Sequence, residues 1–372
     1  LSFLAVVMLS FSAFAQTPIS TKAQFLAMQP GGNYIQTADI DLGDLGARTQ
    51  AIIQTFTGTY DGNGFQITYQ ATFEGNTNNT CYGLFGTVGG TIRNLTLVAD
   101  VTFSGTGNDM QVGLLCGRLS AGGVISFCNV YGNLNSTIYA SEGGGSDAGL
   151  IIGESLGRLE YSSGEGTVVG VGYVGGLIGN MQGGTTIGCK FIGSVTANNP
   201  QNAGSNDQGS FGGGIVGYAN NEAVIKLCYV DATIIAEKQC SGIASTSVAS
   251  SFFIWETPAG SPEVTDSYGQ GTVNGTTIGN NNLTNSSGIV EGNYSGPASN
   301  CAGNQNIVNQ LNAAVSNDPN ILFALDNDCN VIMLIGDLSG ACETPSGLTI
   351  AKNNGTVTIT IASPNSNMTF TE

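Results

Sequence analysis

The stretch "YVGGLIGNMQGG", residues 173 to 184, holds five glycines around the small apolar residues Val174, Leu177 and Ile178. Glycine loses more conformational freedom on folding than any other residue, so this density needs a structural reason. The pattern recurs along the chain as "YGLFG", "VGLLCG", "AGLIIG", "VGGLIG", "GGGIVG" and a decayed "SGIAS", which end at residues 86, 117, 153, 179, 217 and 245. Repeats at intervals of roughly 20 to 50 residues are typical of solenoids, propellers and arrays.

Each glycine motif precedes two more short strand signals, such as "TTIGCKFIG" at 185–193 and "GSVTA" at 193–197, with no helical periodicity between them. The sequence therefore predicts an all-β, right-handed parallel β-solenoid of about five to six coils, each with about three strands. Its glycines would serve corners and close strand contacts. A propeller is the main alternative, but blades of roughly 40 residues or more do not fit the shortest repeat.

Composition excludes several classes of function. The net charge is −17, charged residues make up only 9% of the chain, and histidine is absent. We therefore expect neither nucleic-acid binding nor attraction to anionic lipid. The lack of histidine also removes the commonest general base and metal ligand, which argues against zinc or hydrolytic chemistry.

Residues 1–15 are apolar and end in Ala13-Phe14-Ala15, which reads as an incomplete secretory signal peptide. No later segment reaches the ~18 apolar residues that a membrane span needs. We thus predict an exported chain with the solenoid at 16–342. The alternation after residue 342 predicts, at 343–372, either the start of a truncated immunoglobulin- or fibronectin-like β module, in a parent chain that continues, or C-terminal strands packed on the solenoid.

Short capping elements are expected at both ends of the array. Residues 20–28 predict a helix in which Thr21 and Gln24 form a capping box. Residues 304–317 place an apolar stripe on one helical face, and residues 330–338 read as a strand. Terminal elements of this kind cover the open end of a repeat array.

Six of the nine cysteines fall into two groups. Cys128, Cys189 and Cys228 occupy equivalent positions in their repeats, and we interpret them as a column of small buried side chains in which Ser162 or Ser163 fills the third repeat. A metal or redox site is the alternative. Cys301, Cys329 and Cys342 lie outside the repeats, and Cys329 with Cys342 is the favoured disulfide.

The segments "GGLIGNMQGGTTIGCKFIGSV" at 175–195, "YIQTADIDL" at 34–42 and "FTGTYDGNGFQIT" at 56–68 resemble the GLUG repeat family of bacterial surface proteins. The resemblance covers roughly residues 20 to 340 and implies exported, adhesin-like modules. Some relatives carry the repeat beside a metallopeptidase, whose zinc motif needs two histidines. This chain has none, so that activity does not transfer.

The sequence predicts no catalytic residue and no cofactor-binding residue. Asp326, Asp328 and Asn330 are weak calcium candidates, since no glutamate stands at the twelfth position of a calcium loop, and a turn is the alternative. "DGNG" at 61–64 also resembles a fragment of a calcium loop, but Thr72 stands where the loop needs a glutamate, so a hairpin turn is the favoured interpretation. Trp255 is a weak candidate for ligand binding, or else part of an apolar flap over the array.

Glu154, Glu160 and Glu165, with Arg158, form the densest charge group, and solvated surface charge is its ordinary interpretation. The function that the sequence favours is a secreted or cell-surface adhesin-like module, structural or binding, whose partners would be host or matrix glycans or surface proteins. The alternatives are a polysaccharide-acting β-helix enzyme, which would need converging carboxylates and a basic residue, and a carbohydrate-binding accessory module, which would need exposed aromatics such as Trp255 or Tyr173. Binding is expected in the insertions at 140–148, 198–209 and 250–262.

Overall fold

The computed structural model describes residues 16–75, 80–105, 109–138, 146–198, 210–220, 222–226, 228–236 and 239–245, together with separate strands after residue 245. Up to residue 88 the elements are β1 (Thr17–Ile19), α1 (Lys22–Leu26), β2 (Asn33–Gln36), β3 (Ile40–Arg48), β4 (Ile53–Phe56), β5 (Thr59–Asp61), β6 (Gln66–Gly75), β7 (Cys81–Tyr82) and β8 (Phe85–Val88). Up to residue 155 they are β9 (Thr91–Arg93), β10 (Thr96–Gly105), β11 (Met110–Gly113), β12 (Cys116–Leu119), β13 (Val124–Ser126), β14 (Asn129–Ile138), β15 (Ser146–Gly149) and β16 (Ile152–Ser155).

The next coils contain β17 (Arg158–Glu160), β18 (Ser163–Gly170), β19 (Gly172–Gly175), β20 (Ile178–Met181), β21 (Gly184–Ile187), β22 (Lys190–Ala197), β23 (Phe211–Gly213), β24 (Val216–Ala219), β25 (Ala223–Lys226), β26 (Tyr229–Ala236) and β27 (Gln239–Ser241). The later strands are β28 (Glu263–Thr265), β29 (Tyr268–Val273), β30 (Thr276–Ile278), β31 (Ile289–Glu291), β32 (Ile321–Leu325), β33 (Val331–Ile335), β34 (Cys342–Glu343), β35 (Leu348–Asn353), β36 (Thr356–Ser363) and β37 (Ser366–Thr371).

Four sheets run along the array. Sheet 1 is β1-β2-β5-β9-β13-β17-β21-β25-β28-β31, sheet 2 is β3-β6-β10-β14-β18-β22-β26-β29-β30, sheet 3 is β7-β11-β15-β19-β23-β27, and sheet 4 is β4-β8-β12-β16-β20-β24. The chain visits the sheets in the order 1, 2, 3, 4 in each of the five coils from β5 to β24. Pairing within these sheets is parallel, except that β30 runs antiparallel to β29. The predicted β-solenoid is therefore confirmed, with four strands per coil rather than about three.

The opening stretch explains the extra strand, because one glycine motif covers two strands and the bend between them. Tyr173 and Gly175 belong to β19, Leu177 lies in the bend, and Gly179 belongs to β20. A Cβ atom on Gly179 would lie 2.4 Å from the backbone nitrogen of Ala148 in sheet 3. Glycine at this position lets sheets 3 and 4 touch, as the predicted role in close strand contacts requires.

The core is made by side chains that repeat in register from coil to coil. In β10, Leu97, Ala99, Val101 and Phe103 are buried, and the intervening positions are more exposed. The strand pairs residue by residue with β6 on one side and β14 on the other. This alternation fixes the register, since a shift by one residue would turn the apolar side chains outward.

Helix α1 closes the N-terminal end of the array, as expected. The Thr21 hydroxyl accepts a hydrogen bond from the backbone N–H of Gln24, which caps the helix. Phe25 is fully buried, and its ring makes edge contacts with Tyr60 and Phe85 at centroid distances of 5.9 and 6.0 Å. The helix thus places one aromatic side chain over the first coils.

The predicted cysteine column is confirmed as a column of small buried side chains. Cys128, Ser162, Cys189 and Cys228 lie in register and are at most 2% exposed. Each donates to the carbonyl two residues earlier in the chain; the distance is 2.8 Å for Ser162 and 3.3 to 3.4 Å for the three thiols. Within the described residues, no group of His, Cys, Asp and Glu side chains could hold a metal ion.

The insertions share one place in the coil. The segments 76–79, 106–108, 139–145 and 199–209 each join a strand of sheet 2 to the following strand of sheet 3. The predicted insertion at 140–148 was too long, because Ser146–Gly149 forms the buried strand β15. The strand was not recognised in the sequence because its four residues, "SDAG", are small or polar.

Of the C-terminal predictions, the strand at 330–338 is confirmed, and the immunoglobulin- or fibronectin-like module stays a prediction. The predicted strand at 330–338 contains β33, which pairs antiparallel with β32. Strands β34 to β37 form an antiparallel sheet of four strands after residue 341. The predicted helix at 304–317 lies outside the described residues, as do Cys301 and Cys329, so the pairing of Cys329 with Cys342 stays a prediction.

Candidate functional site

Two columns of side chains meet where sheets 3 and 4 are in contact, and we call this line the seam. The sheet 3 column is Cys81, Gln111, Asp147, Tyr173 and Phe211. The sheet 4 column is Thr87, Arg118, Glu154, Asn180 and Tyr218. Parallel in-register pairing stacks these side chains one coil apart, so the seam forms a continuous strip along the solenoid.

Glycine brings the two columns together. The residue before each sheet 4 member from Arg118 onward is glycine, and a Cβ atom there would lie 2.2 to 2.5 Å from the sheet 3 backbone. Only a residue without a side chain permits this approach. The next residue along the strand consequently stands beside the sheet 3 column.

A carboxyl–amide pair occupies the middle of the seam. The Asn180 side-chain N–H donates to Asp147 Oδ2 at 3.1 Å, and these residues are only 5% and 8% exposed. Gln182 donates to Asn180 Oδ1 at 2.8 Å, and Asn220 donates to Gln182 at 3.1 Å. This chain of amides orients Asn180 so that its N–H points at the carboxyl group.

Burial dominates the electrostatics of the seam. It raises the pKa of Asp147 well above the ordinary value, and the hydrogen bond from Asn180 offsets only part of this rise. Burial also raises the pKa of Glu154, although Arg118 opposes the shift through an ion pair of 3.3 Å. The charges of Glu154 and Asp109 raise the pKa of Asp147 further. The seam therefore disfavours additional negative charge.

An aromatic cluster extends the seam beyond this pair. The rings of Tyr173 and Tyr218 stack with centroids 4.4 Å apart, and Phe211 meets both at 5.4 and 5.7 Å in edge contacts. All three residues are half-buried. Burial, followed by the neighbouring Tyr218 and Asp147, raises the pKa of Tyr173 to about 12, so its hydroxyl stays protonated at neutral pH. The cluster thus offers apolar rings beside hydrogen-bonding groups.

Of the charge group singled out in the sequence, only Arg158 and Glu160 come together, and the three carboxylates lie apart. Glu154 belongs to the seam, Glu160 ends a strand of sheet 1 and is paired with Arg158, and Glu165 is exposed on sheet 2. The three glutamates are close in the sequence because they lie on consecutive strands, but each of these strands belongs to a different sheet. The carboxyls that do lie near each other, Asp147 and Glu154, come from neighbouring strands.

The "DGNG" segment also differs from its predicted hairpin. Asp61 ends β5, and the chain turns a corner into sheet 2 instead of folding back on itself. Its carboxylate accepts hydrogen bonds from the backbone of Asn63 and from the side chains of Arg93 and Asn94 at 2.9 to 3.1 Å. These donors engage both carboxylate oxygens in holding the corner.

The remaining predicted site residues lie outside the described residues. They are Trp255 and the weak calcium candidates Asp326, Asp328 and Asn330. The helix in the described part of the chain is too short and too polar to cross a membrane.

Of the seam, the sequence analysis named only Tyr173 and Glu154. The sequence does contain a signal for the sheet 4 column. The position directly after the aligned glycine holds, in successive repeats, Arg118, Glu154, Asn180 and Tyr218. Comparing this one position between repeats identifies the column. Asp147 was missed because it was placed in an insertion.

Comparison with known proteins gives no match: no family model, curated protein or solved structure is significantly similar to this chain. The resemblance to the GLUG repeat family therefore stays a prediction from the motifs, and the geometry of the seam carries the functional argument.

Proposed function

We propose that this protein is an adhesin-like binding module of a secreted or cell-surface protein, and that the seam binds glycans. The observation that carries this proposal is the cluster of Tyr173, Phe211 and Tyr218 beside the Asp147–Asn180 pair. Aromatic rings pack against the apolar faces of sugar rings, and carboxyl and amide groups bond the hydroxyls at their edges.

The architecture supports a binding role. A solenoid presents a long, rigid surface on which side chains vary without loss of the core. The insertions between sheets 2 and 3 end where the sheet 3 column begins, so sequence variation is concentrated next to the seam. The apolar segment 1–15, with its Ala13-Phe14-Ala15 ending, supports export.

The charge of the seam favours neutral glycans. Asp147 and Glu154 are carboxyls, and Arg118 is engaged by Glu154. An acidic sugar placed here would add negative charge beside groups whose burial already disfavours their ionised form. We therefore expect polysaccharides rich in uronic acid to bind poorly.

A polysaccharide-acting enzyme is the second candidate, and the proximity of Asp147, Glu154 and Arg118 favours it. Paired carboxyls of raised pKa are the groups that glycoside hydrolysis uses. The hydrogen bond from Asn180 to Asp147 and the Glu154 ion pair occupy these groups, however, whereas the rings of Tyr173, Phe211 and Tyr218 are only half-buried. A catalytic role leaves this aromatic cluster without a function, so binding accounts for more of the seam than catalysis does.

The test is a glycan-array and matrix-protein binding screen on the full chain, with and without calcium, followed by sizing of the recovered glycans. Tyr218→Ala should weaken binding about tenfold, which corresponds to the loss of roughly 1.4 kcal/mol of aromatic contact. Tyr131→Ala is the matched control, because Tyr131 is 39% exposed on sheet 2, away from the seam. Equal binding by both variants, or no binding by the wild type, would refute the proposal. Shortened glycans would favour the enzyme.

A further inference from the structure

The corner between sheets 1 and 2 carries two strained aromatic residues. Asn94, Phe127, Tyr161 and Gly188 occupy equivalent positions in successive coils, directly before Leu95, Cys128, Ser162 and Cys189, and their φ angles are 53°, 54°, 45° and 66°. Asparagine and glycine adopt this left-handed region readily, whereas bulky residues there are genuine outliers. Two successive coils thus place an aromatic ring where a small residue fits without strain.

The two strained rings stack on each other at the corner. Phe127 and Tyr161 have centroids 5.3 Å apart and an interplanar angle of 6°, and both side chains are only half-buried. The stabilisation from a stacked pair is of the same order as the strain of one bulky residue in the left-handed region. Strain of this kind is retained mainly where function requires it.

Charged and polar groups border the stack on two sides. Arg93 pairs with Asp61 at 3.0 Å, and Asn94 donates to the same carboxylate at 3.1 Å. Glu160 pairs with Arg158, and both charges act on the Tyr161 phenol. The side chains of Arg93 and Arg158 remain 46% and 59% exposed in these pairs.

We propose that Phe127 and Tyr161 form a second glycan site, in which a pyranose ring packs on the aromatic stack and its hydroxyls bond the bordering pairs. The inference rests on the proposed glycan binding, but it concerns a different corner of the coil from the seam. An apolar peptide is a poorer occupant, because it has few side-chain groups to hydrogen-bond the polar side chains beside the rings, which its binding would withdraw from water.

The neighbouring coils supply the variants for the test. Phe127→Asn and Tyr161→Gly install the residue types found at the equivalent positions of Asn94 and Gly188, so both relieve backbone strain while removing a ring. Tyr161→Phe keeps the stack and serves as the conservative variant. Tyr131→Ala controls for an exposed tyrosine elsewhere, and Tyr218→Ala reports on the seam.

Binding of the full chain is measured by calorimetry with hexamers of β-1,4-linked glucose, N-acetylglucosamine and xylose. Because the chain would carry two sites, we expect Phe127→Asn and Tyr161→Gly to weaken one of the two binding events about tenfold and to leave the other unchanged, while their urea midpoints stay equal to or above that of the wild type. Tyr161→Phe and Tyr131→Ala should bind like the wild type.

The outcomes separate this proposal from the first. If Tyr218→Ala alone weakens binding, the seam binds glycans and the second site does not exist. If no hexamer binds the wild type, both proposals fail for these glycans. If Phe127→Asn and Tyr161→Gly bind normally, or if both fail to fold, the rings are structural and the inference is overturned.

Discussion

Replacing Gly179 by alanine tests whether glycine sets the spacing between sheets 3 and 4. The new Cβ would lie 2.4 Å from the nitrogen of Ala148 and 2.6 Å from the carbonyl carbon of Asp147. Both are backbone atoms of a paired strand, so neither can rotate away. Ordinary contact begins at 3.4 Å, which means that the sheets must separate locally by about 1 Å.

The size of the effect follows from this displacement. Overpacking a dense interior costs about 1 to 3 kcal/mol, and a backbone-to-backbone clash belongs at the upper end. A gap of about 1 Å also removes up to half of the dispersion energy of the facing atoms. The reduced freedom of the unfolded chain returns about 0.4 to 1 kcal/mol. We expect Gly179→Ala to lower the free energy of unfolding by about 2 to 4 kcal/mol.

Gly183→Ala is the matched control from the same stretch of sequence. Its Cβ would meet nothing nearer than Glu222 Cβ at 3.7 Å, and Gly183 lies outside the left-handed region. This variant should be neutral or more stable by up to about 1 kcal/mol. Urea denaturation followed by far-ultraviolet circular dichroism measures both variants. Equal midpoints for Gly179→Ala and Gly183→Ala would refute the assignment of Gly179 to the contact between the sheets.

Three further predictions concern the cap, the thiol column and the seam. Phe25→Ala should destabilise the protein by about 3 to 5 kcal/mol in urea denaturation, because the ring is fully buried; a loss below ~1 kcal/mol would contradict its role as the cap. Burial raises the pKa of Cys128 to about 12, so iodoacetamide at pH 8 should modify it only after unfolding, as mass spectrometry of labelled peptides can check. Burial raises the pKa of Asp147 in the folded protein, so folding favours the protonated carboxyl. Its contribution to the free energy of unfolding is therefore fully present below the unfolded pKa of about 3.9 and is lost as pH rises through the folded pKa. Asp147→Asn should therefore gain stability relative to the wild type at pH 7 but not at pH 3; an equal difference at both values would refute the shift.

The solenoid could be predicted because its physical requirement is repeated. Every coil needs the same small residues at the same corners, so the glycine motif returns even where the insertions differ in length. The cysteine column followed from the same logic, since Ser162 occupies the slot expected for it. The number of strands per coil did not follow, because β19 and β20 are separated by a two-residue bend inside one apolar run.

The seam was less accessible to sequence reasoning for a physical reason. Asp147 and Asn180 lie 33 residues apart and meet because their strands stack in space. Nothing in the local sequence distinguishes this pair from surface polar residues. The charges that do cluster in sequence, Glu160 and Glu165, lie on different sheets of one coil. Proximity along the chain misleads in a solenoid, whereas equivalence between repeats is informative.

The column of glycines formed by Gly117, Gly153, Gly179 and Gly217 connects the fold, which the sequence predicts, with the seam, which it does not. Glycine before each sheet 4 member of the seam from Arg118 onward is required by the contact between sheets 3 and 4, and the residue after it is not constrained by that contact. The position after the glycine accordingly holds Arg118, Glu154, Asn180 and Tyr218 in successive coils without any change in register. A constant backbone thus presents a strip whose chemistry changes every ~4.8 Å, from an ion pair through a carboxyl–amide pair to an aromatic cluster. Such a strip can match successive units of an extended polymer, which is why we propose a glycan chain as its ligand.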